Sequence, residues 1–394
     1  MIQRKVLVAL ILLCVTLQIP TGQSSRAFIE QPIFSTPNII VGGQNGTWFR
    51  PGQAPRLLLV NLNDNYIETL NTFGGQGTIW DGSRSLNGSQ FLITGWGEDQ
   101  FKANPPIIIY NDSLSVIYKS VYPTNINESW YGGDIFSSSN NGTAWLISGM
   151  GSGGNFSTVI GNHMALGLFE NGTFTDLTSQ IPHLSLGILY ANFWNGSLWM
   201  VGGGYLDSEV LFTYHNGLVT DLTEMIKQEI PDVGAITSIS WNGTDWMIGG
   251  DHFLAEYSNN HFIDLTQSLY NIQNPFGAVN TIKWDDQSDL WLIGGGEPKA
   301  ITDPNNAWIA AISTNNIITD FSSLLPTYIT RNTEASSILT STYVNGIWII
   351  GGYYETASSV HPLLVAIDLH SHFAIDYSDR LDGYLSYIIW IRFD

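Results

Sequence analysis

One phrase recurs along this chain and limits what it can fold into: an alternating apolar run, a tight turn, an aromatic-led apolar run, and then glycine. It is clearest in Ile236-Thr237-Ser238-Ile239-Ser240-Trp241, Asn242-Gly243-Thr244, Trp246-Met247-Ile248-Gly249-Gly250. The phrase returns at Trp194 to Gly203, Trp284 to Gly295 and Tyr343 to Gly352, more weakly at Leu86 to Gly95 and Asn140 to Gly149, and as its second half at Ile39 to Gly43. Its last glycine falls at positions 43, 95, 149, 203, 250, 295 and 352, which makes seven units about fifty residues apart.

Downstream of most of these glycines comes a second hairpin, as in Leu166 to Glu170, Asn171-Gly172, Thr173 to Thr178. Its closing phrase is echoed at Asp221-Leu222-Thr223, Asp264-Leu265-Thr266, Asp320-Phe321-Ser322 and Asp376-Tyr377-Ser378. Asn-Gly between alternating runs is a strong hairpin signal, because both turn residues must tolerate positive φ. Each unit is therefore two hairpins, or four strands. A unit of this size cannot bury both faces of its sheet alone, so the units must stack, and radial stacking of four-stranded units is a β-propeller.

The two ends complement each other. The first unit lacks its opening strand, while Tyr384 to Trp390 at the other end has strand character and no unit of its own. Aligned on Trp390 and Trp241, the tail supplies the missing strand. The expectation is an all-β, seven-bladed propeller over residues 25–394, four antiparallel strands per blade, closed by the C-terminal strand joining the N-terminal blade. Such closure also removes an open sheet edge.

Trp145, Trp199, Trp246, Trp291 and Trp348 begin second strands at equivalent positions, with Phe91 in that place once. A row of this kind reads as packing between blades, where a wide ring fills the wedge left as the sheets fan out, rather than as a sugar-binding stripe. Apolar residues followed by Gly-Gly at a strand end, as in Trp291-Leu292-Ile293-Gly294-Gly295, resemble kelch repeats. The resemblance extends over the exported chain but is partial. Kelch repeats carry a regularly spaced Tyr and Trp after the glycines, whereas here Tyr214 and Tyr257 are irregular and the regular Trp lies upstream. The likeness implies the propeller fold and transfers no function. Kelch-type enzymes include copper oxidases resembling galactose oxidase, whose radical site needs a Cys joined to a Tyr.

That chemistry is excluded by the cysteine count. Residues 1–24 read as a secretory signal, with Arg4 and Lys5 ahead of an apolar stretch from Val6 to Leu17 and a small-residue exit at Thr21-Gly22-Gln23-Ser24. The sole cysteine, Cys14, lies inside this signal, so the exported chain has no thiol, disulfide or cysteine metal site. The apolar stretch is short of the ~20 residues of a membrane span, so no span is expected once the signal is removed. The chain is therefore expected to be secreted or at the cell surface. Removal leaves 12 cationic side chains against 34 acidic ones, a formal charge of about −22, which argues against nucleic acid as a partner. Nine Asn-x-Ser/Thr sequons follow, at Asn45, Asn87, Asn111, Asn127, Asn141, Asn155, Asn171, Asn195 and Asn242, and a glycoprotein is one expectation. Six of the nine are also Asn-Gly, which a hairpin turn needs anyway.

Function is expected in the irregular loops. Loops joining second to third strands, and fourth strands to the next blade, open on one face. There lie Glu98 and Asp99, Asp207 and Glu209, Asp251, Glu297 and Glu355, together with Trp96, Trp130-Tyr131 before Asp134, Tyr205 and the Tyr353-Tyr354 pair. Carboxylates orient sugar hydroxyls or bind calcium, and aromatic faces cover the apolar side of a sugar ring. Trp96, Glu98, Asp99, Trp130, Asp134, Tyr205, Asp207, Asp251, Glu297 and Glu355 are thus the expected binding rim, for a protein or glycan ligand, with calcium the one cofactor in view. The bland alternative is an acidic solvated rim. A second functional reading is a carbohydrate-active hydrolase using paired rim carboxylates such as Glu98, Asp99, Asp207 and Glu297. His163, His183, His252 and His361 also fall in or near rim loops, in different blades. Gly149-Met150-Gly151-Ser152-Gly153-Gly154 matches a phosphate-loop spacing but opens no helix, so it reads as a loop.

Overall fold

The computed structural model describes residues 38–45, 54–64, 66–72, 76–86, 90–99, 102–103, 107–111, 134–151, 163–171, 173–205, 209–273, 277–296, 307–331, 335–344 and 346–393. The signal at 1–24 and the sequons at Asn87, Asn127 and Asn155 lie outside the described residues.

The strands in chain order are β1 (Asn38–Asn45), β2 (Ala54–Asn61), β3 (Ile67–Thr72), β4 (Gln76–Arg84), β5 (Gln90–Asp99), β6 (Lys102–Ala103) and β7 (Ile107–Asn111). Next come β8 (Asp134–Asn140), β9 (Ala144–Gly151), β10 (His163–Glu170), β11 (Thr173–Asp176), β12 (Ile188–Trp194), β13 (Trp199–Gly204), β14 (Val210–His215) and β15 (Leu218–Asp221). They are followed by β16 (Ile236–Trp241), β17 (Trp246–Gly250), β18 (Phe253–Ser258), β19 (His261–Asp264), β20 (Ala278–Asp285), β21 (Leu290–Gly296), β22 (Trp308–Ser313) and β23 (Ile318–Asp320). The last are β24 (Ala335–Val344), β25 (Ile347–Glu355), β26 (Val360–Asp368), β27 (Phe373–Asp376) and β28 (Tyr387–Phe393).

These strands make an all-β propeller of four-stranded antiparallel blades. Six sheets have the expected linear order: β28-β1-β2-β3, β8 to β11, β12 to β15, β16 to β19, β20 to β23 and β24 to β27. The expectation of seven like blades is met in those six, and the β4-β5 sheet departs from it. There β6 and β7 both pair with β5, so they share one edge in place of a third and a fourth strand. Asn104-Pro105-Pro106 separates them in sequence, and proline has no N–H to give to a ladder.

The C-terminal strand also differs in register from its expectation. It runs from Tyr387 to Phe393 rather than from Tyr384 to Trp390, and places Trp390 opposite Gly42. Phe393, not Trp390, therefore takes the position that Trp241 holds beside Trp246 in β16. Residues 384 and 385 are used in the turn after the short helix Ser378–Leu381, where Tyr384 and Leu385 donate their N–H groups to the Leu381 carbonyl.

Three local devices explain why the repeat folds this way. The first is the Asn-Gly-Ser/Thr turn between opening and second strands. Asn195 Oδ1 accepts hydrogen bonds from the N–H of Ser197 and of Leu198, each at 2.9 Å, and from the Ser197 hydroxyl, while Gly196 takes φ 98°. Asn141 and Asn242 build the same turn. At these three sequons the asparagine carbonyl and the hydroxyl two residues on are thus committed to turn chemistry.

The second device is the recurring Asp-apolar-Thr/Ser that ends most blades. Asp221 Oδ1 accepts from the Thr223 N–H at 2.9 Å, Leu222 is buried, and the Thr223 hydroxyl bridges the N–H and carbonyl of Leu211 in the third strand. The motif is a latch that ties the end of the fourth strand back to the third. It repeats around Asp176, Asp264 and Asp320, and at Asp376 the Ser378 hydroxyl accepts from the Leu364 N–H.

The third device is the tryptophan row. Trp145, Trp199, Trp246, Trp291 and Trp348 are all buried, as is Phe91, so they belong to the packing and not to a surface stripe. Each of the last four sits in a core shared by two blades: Trp246 with Met200 and Leu211, Trp199 with Leu146 and Leu166, Trp291 with Met247 and Leu254, Trp348 with Leu292 and Ile309. Burial of apolar surface between sheets is what holds one blade to the next.

Candidate functional site

Near the axis the bonding changes from apolar to polar. The opening strands β4, β8, β12, β16, β20 and β24 lie side by side in that order. Their side chains link neighbouring blades. Asp81 Oδ2 accepts from the Ser138 N–H at 2.6 Å, and the Ser83 and Ser138 hydroxyls are 2.9 Å apart. Asn192 donates from its backbone N–H to Ser137 Oγ at 3.1 Å and from Nδ2 to Ser148 Oγ at 2.8 Å. Thr237 Oγ1 donates to the Val279 carbonyl at 2.7 Å, and Asn280 Nδ2 to Ser337 Oγ at 2.9 Å. Burial raises the Asp81 carboxyl above its ordinary range, against the hydrogen bonds from Ser138 and the charge of Lys283.

Every pairing of an opening strand with its neighbour skips at least one residue, at a β-bulge or irregularity. The skipped residues include Trp80, Phe136, Tyr190, Thr237, Asn280, Leu339 and Ile389. A bulge re-aims its side chain away from the regular alternation, which is why bulges recur at binding sites. Each follows a fully packed aliphatic residue: Ile79, Ile135, Leu189, Ile236, Val279, Ile338 or Ile388, none more than 2% exposed. The bulged residues themselves are half-buried. At one level of three consecutive blades they form an aromatic arc, with Trp80 and Phe136 ring centroids 4.8 Å apart and Phe136 and Tyr190 5.4 Å apart, the latter edge to face.

Asp134, two residues before Phe136, is buried, and its Oδ1 has no hydrogen-bond partner. Burial pushes its carboxyl up to about 7. At the equivalent place on other opening strands Thr78 donates to Gln44, and Ser337 accepts from Asn280. Burial, and then the charges of Asp251 and Tyr205, push the Tyr190 hydroxyl up to about 12. Asp251 and Tyr205 are both exposed, Tyr205 by 42%.

The expected rim is thus assembled in part. Tyr205 and Asp251 lie near Tyr190 of the arc, whereas Asp134 proves to be a buried strand residue and not a loop acid. Trp96, Glu98 and Asp99 extend β5 rather than forming a loop, opposite Thr78 and Gln76 of β4 and Lys102 of β6 respectively. Glu355 ends β25, paired with Val360. Tyr353 of the Tyr353-Tyr354 pair is core, 1% exposed, with its ring 4.9 Å from that of Tyr387. Trp130, Asp207 and Glu297 lie outside the described residues. Among the described residues no three His, Cys, Asp or Glu side chains converge to hold a metal, and no helix is long and apolar enough to cross a membrane.

Trp80, Phe136 and Tyr190 are the residues that sequence reasoning missed. The signal was present in the repeat: aligning the packed aliphatic of each opening strand places the next residue at the bulge in all seven units. Glycines drew the alignment instead, and they lie on the neighbouring strand.

No family model and no curated protein sequence matches the chain. Among solved structures it is similar to a candidate 6-phosphogluconolactonase from Bacteroides uniformis, at 8% identity and TM-score 0.47, covering 91% of this chain and 99% of that one. It is also similar to a chain of a mitotic checkpoint complex (12% identity, TM-score 0.45, 76% and 82% covered) and to Sqt1 from Chaetomium thermophilum (9%, 0.44, 91% and 84%).

Proposed function

We propose that this chain is an exported binding propeller whose axial mouth takes a glycan without acting on it, with the Trp80-Phe136-Tyr190 arc as platform and Asp251 as its polar anchor. The observation that carries the reading is the row of three half-buried aromatic rings drawn from neighbouring blades, with the exposed Asp251 and Tyr205 close enough to Tyr190 to bear on its hydroxyl. A sugar fits both features at once: its C–H face covers aromatic carbon, and its hydroxyls hydrogen-bond to the exposed polar groups.

The reading includes a closed ring of seven blades, counting the irregular β4-β5 sheet as one. Two observations support it: β28 pairs with β1 over six residue pairs, and β28 also lies beside both β24 and β4. The resemblance to kelch repeats, the signal at residues 1–24 and a glycoprotein surface belong to the same proposal.

The test is a glycan array followed by titration calorimetry with the exported chain, repeated on Tyr190→Ala and Asp251→Asn. Binding that weakens about 5- to 150-fold in both variants is expected, since stacking on one aromatic ring is worth about 1–3 kcal/mol and a charged hydrogen bond about 1.5–3. Ligands bound equally well by both variants would place recognition elsewhere.

A further inference from the structure

We propose that Ser359, His361 and Asp382 form a second, separate site, of serine-hydrolase type, that cleaves carboxylic esters. Ser359 Oγ lies 2.6 Å from His361 Nε2, and His361 Nδ1 lies 3.2 Å from Asp382 Oδ1. Nucleophile on one ring nitrogen and carboxylate on the other is the arrangement that acyl transfer by a hydroxyl requires. The trio is assembled by the blade itself. Ser359 immediately precedes β26 and His361 is its second residue, so two-residue strand periodicity puts both side chains on one face. Asp382 comes from the turn after the helix Ser378–Leu381, one strand further along the chain.

The imidazole is held on its face as well as at both nitrogens. Tyr354 is its cross-strand partner, and the two rings stack at 5.0 Å with an interplanar angle of 16°. The Tyr354 ring is in turn 4.9 Å from that of Tyr328, whose hydroxyl donates to Asp376 at 2.6 Å. A base locked in this way needs no reorganisation at the moment of reaction. Ser359 is exposed at the end of a turn closed by the Thr356 N–H on the Ser359 carbonyl at 2.8 Å. Among the described residues no backbone carbonyl takes up the N–H groups of Ala357 and Ser358, both exposed in that turn, and these are the donors at hand for an oxyanion.

In the first step Ser359 Oγ bonds to the ester carbonyl carbon while its proton passes to His361 Nε2. The bond from that carbon to the alcohol oxygen then breaks, and the alcohol leaves with the proton from His361. Water attacks the acyl-serine, gives a proton to Nε2, and releases the carboxylic acid as Ser359 regains its hydrogen. Ser359 and His361 are the catalytic residues. Asp382 is a positioning residue that keeps the proton of neutral imidazole on Nδ1.

The exported chain is treated with a fluorophosphonate, and hydrolysis of p-nitrophenyl acetate is followed over pH. Expected are a covalent adduct on Ser359, its absence in Ser359→Ala, and a loss of about 100-fold or more in hydrolysis in His361→Asn, as for removal of a positioned base. Asp382→Asn should lower kcat with KM little changed, and Asp382→Glu should restore part of it. A purely structural role would give neither that split nor that rescue. Melting temperatures are compared for all variants, so that loss of fold is separated from loss of chemistry. An intact, folded protein with no adduct on Ser359, or hydrolysis that survives Ser359→Ala, would overturn the proposal and leave the trio as a turn-closing network.

Discussion

Deleting residues 387–394 removes the innermost strand from the β28-β1-β2-β3 sheet, and the cost can be worked from what that strand buries. Tyr387, Ile388 and Ile391 are at most 3% exposed. At about 1.5–3 kcal/mol for each buried side chain, their loss amounts to roughly 5–9 kcal/mol. The ladder to β1 spans the six pairs from Ile39↔Phe393 to Gln44↔Tyr387, and at about 0.5–1.5 kcal/mol per hydrogen bond it adds roughly 3–9 more. The sum is about the whole stability of a domain, typically 5–15 kcal/mol. It also strips the partner from Ile39, Ile40 and Val41, leaving an apolar strand edge. Differential scanning calorimetry of the truncated chain should therefore find no cooperative transition, or one broadened and shifted far down, with aggregation. Gly43→Ala is the point-mutation counterpart, because an added Cβ would stand 2.0 Å from the Tyr387 carbonyl oxygen. A truncated protein that melts as sharply as the full chain, within a few degrees, would refute the argument that the C-terminal strand completes the first blade.

Three further outcomes are expected. Trp246→Ala should cost ~3–5 kcal/mol in urea unfolding, because the ring lies in a core shared by two blades and the cavity cannot be filled from either side. Asp134→Asn should flatten the pH dependence of stability: a carboxyl whose folded-state value is raised to about 7 binds its proton more tightly folded than unfolded, so wild-type stability falls as pH rises from about 4 to 7. The variant should then be the more stable protein at pH 8, and equal pH slopes for the two would count against a buried, unpartnered carboxyl. Asp221 has the opposite sign. Burial alone would raise it, but hydrogen bonds from Thr223 and His183 outweigh burial and hold it below its usual range. Its contribution is present above the unfolded value of about 3.9 and is lost as pH falls through the lower folded one, so Asp221→Asn should reduce the acid limb of a stability profile.

Much of the architecture was legible in the residues, and the reasons differ from element to element. Asn-Gly turns announce hairpins because positive φ restricts what can occupy them, and the tryptophan row announces blade packing because a wide ring has few other uses at a fixed place in a repeat. The Asp-apolar-Thr/Ser phrase was visible as a periodic mark, but its physical meaning was not. A hydroxyl that bonds the backbone of a strand some twelve residues earlier is a tertiary fact. The β4-β5 sheet was read as one more four-stranded unit because its glycine anchor is regular, whereas the pairing of both β6 and β7 with β5 leaves no mark on that anchor. The three-residue error in the C-terminal strand has a similar cause. Trp390 matched Trp241 in type, yet pairing is decided by register against β1, and side-chain type does not fix register where both faces are buried.

The sequence by itself determined the fold class, the repeat and its length, the single cysteine at position 14, and the excess of acidic over basic side chains. Those properties depend on composition and on local period, which a chain carries wherever it goes. Only the tertiary structure decided which residues meet. It moved Asp134 from an open rim into a buried position, and it drew Trp80, Phe136 and Tyr190 from three separate units into one arc. It also brought Asp382 to His361 across a strand. Each of these depends on how bulged inner strands and blade-to-blade packing set distances between residues about fifty positions apart, or between strands of one blade. Repetition reveals that units stack, and the stacking alone decides which side chains face one another.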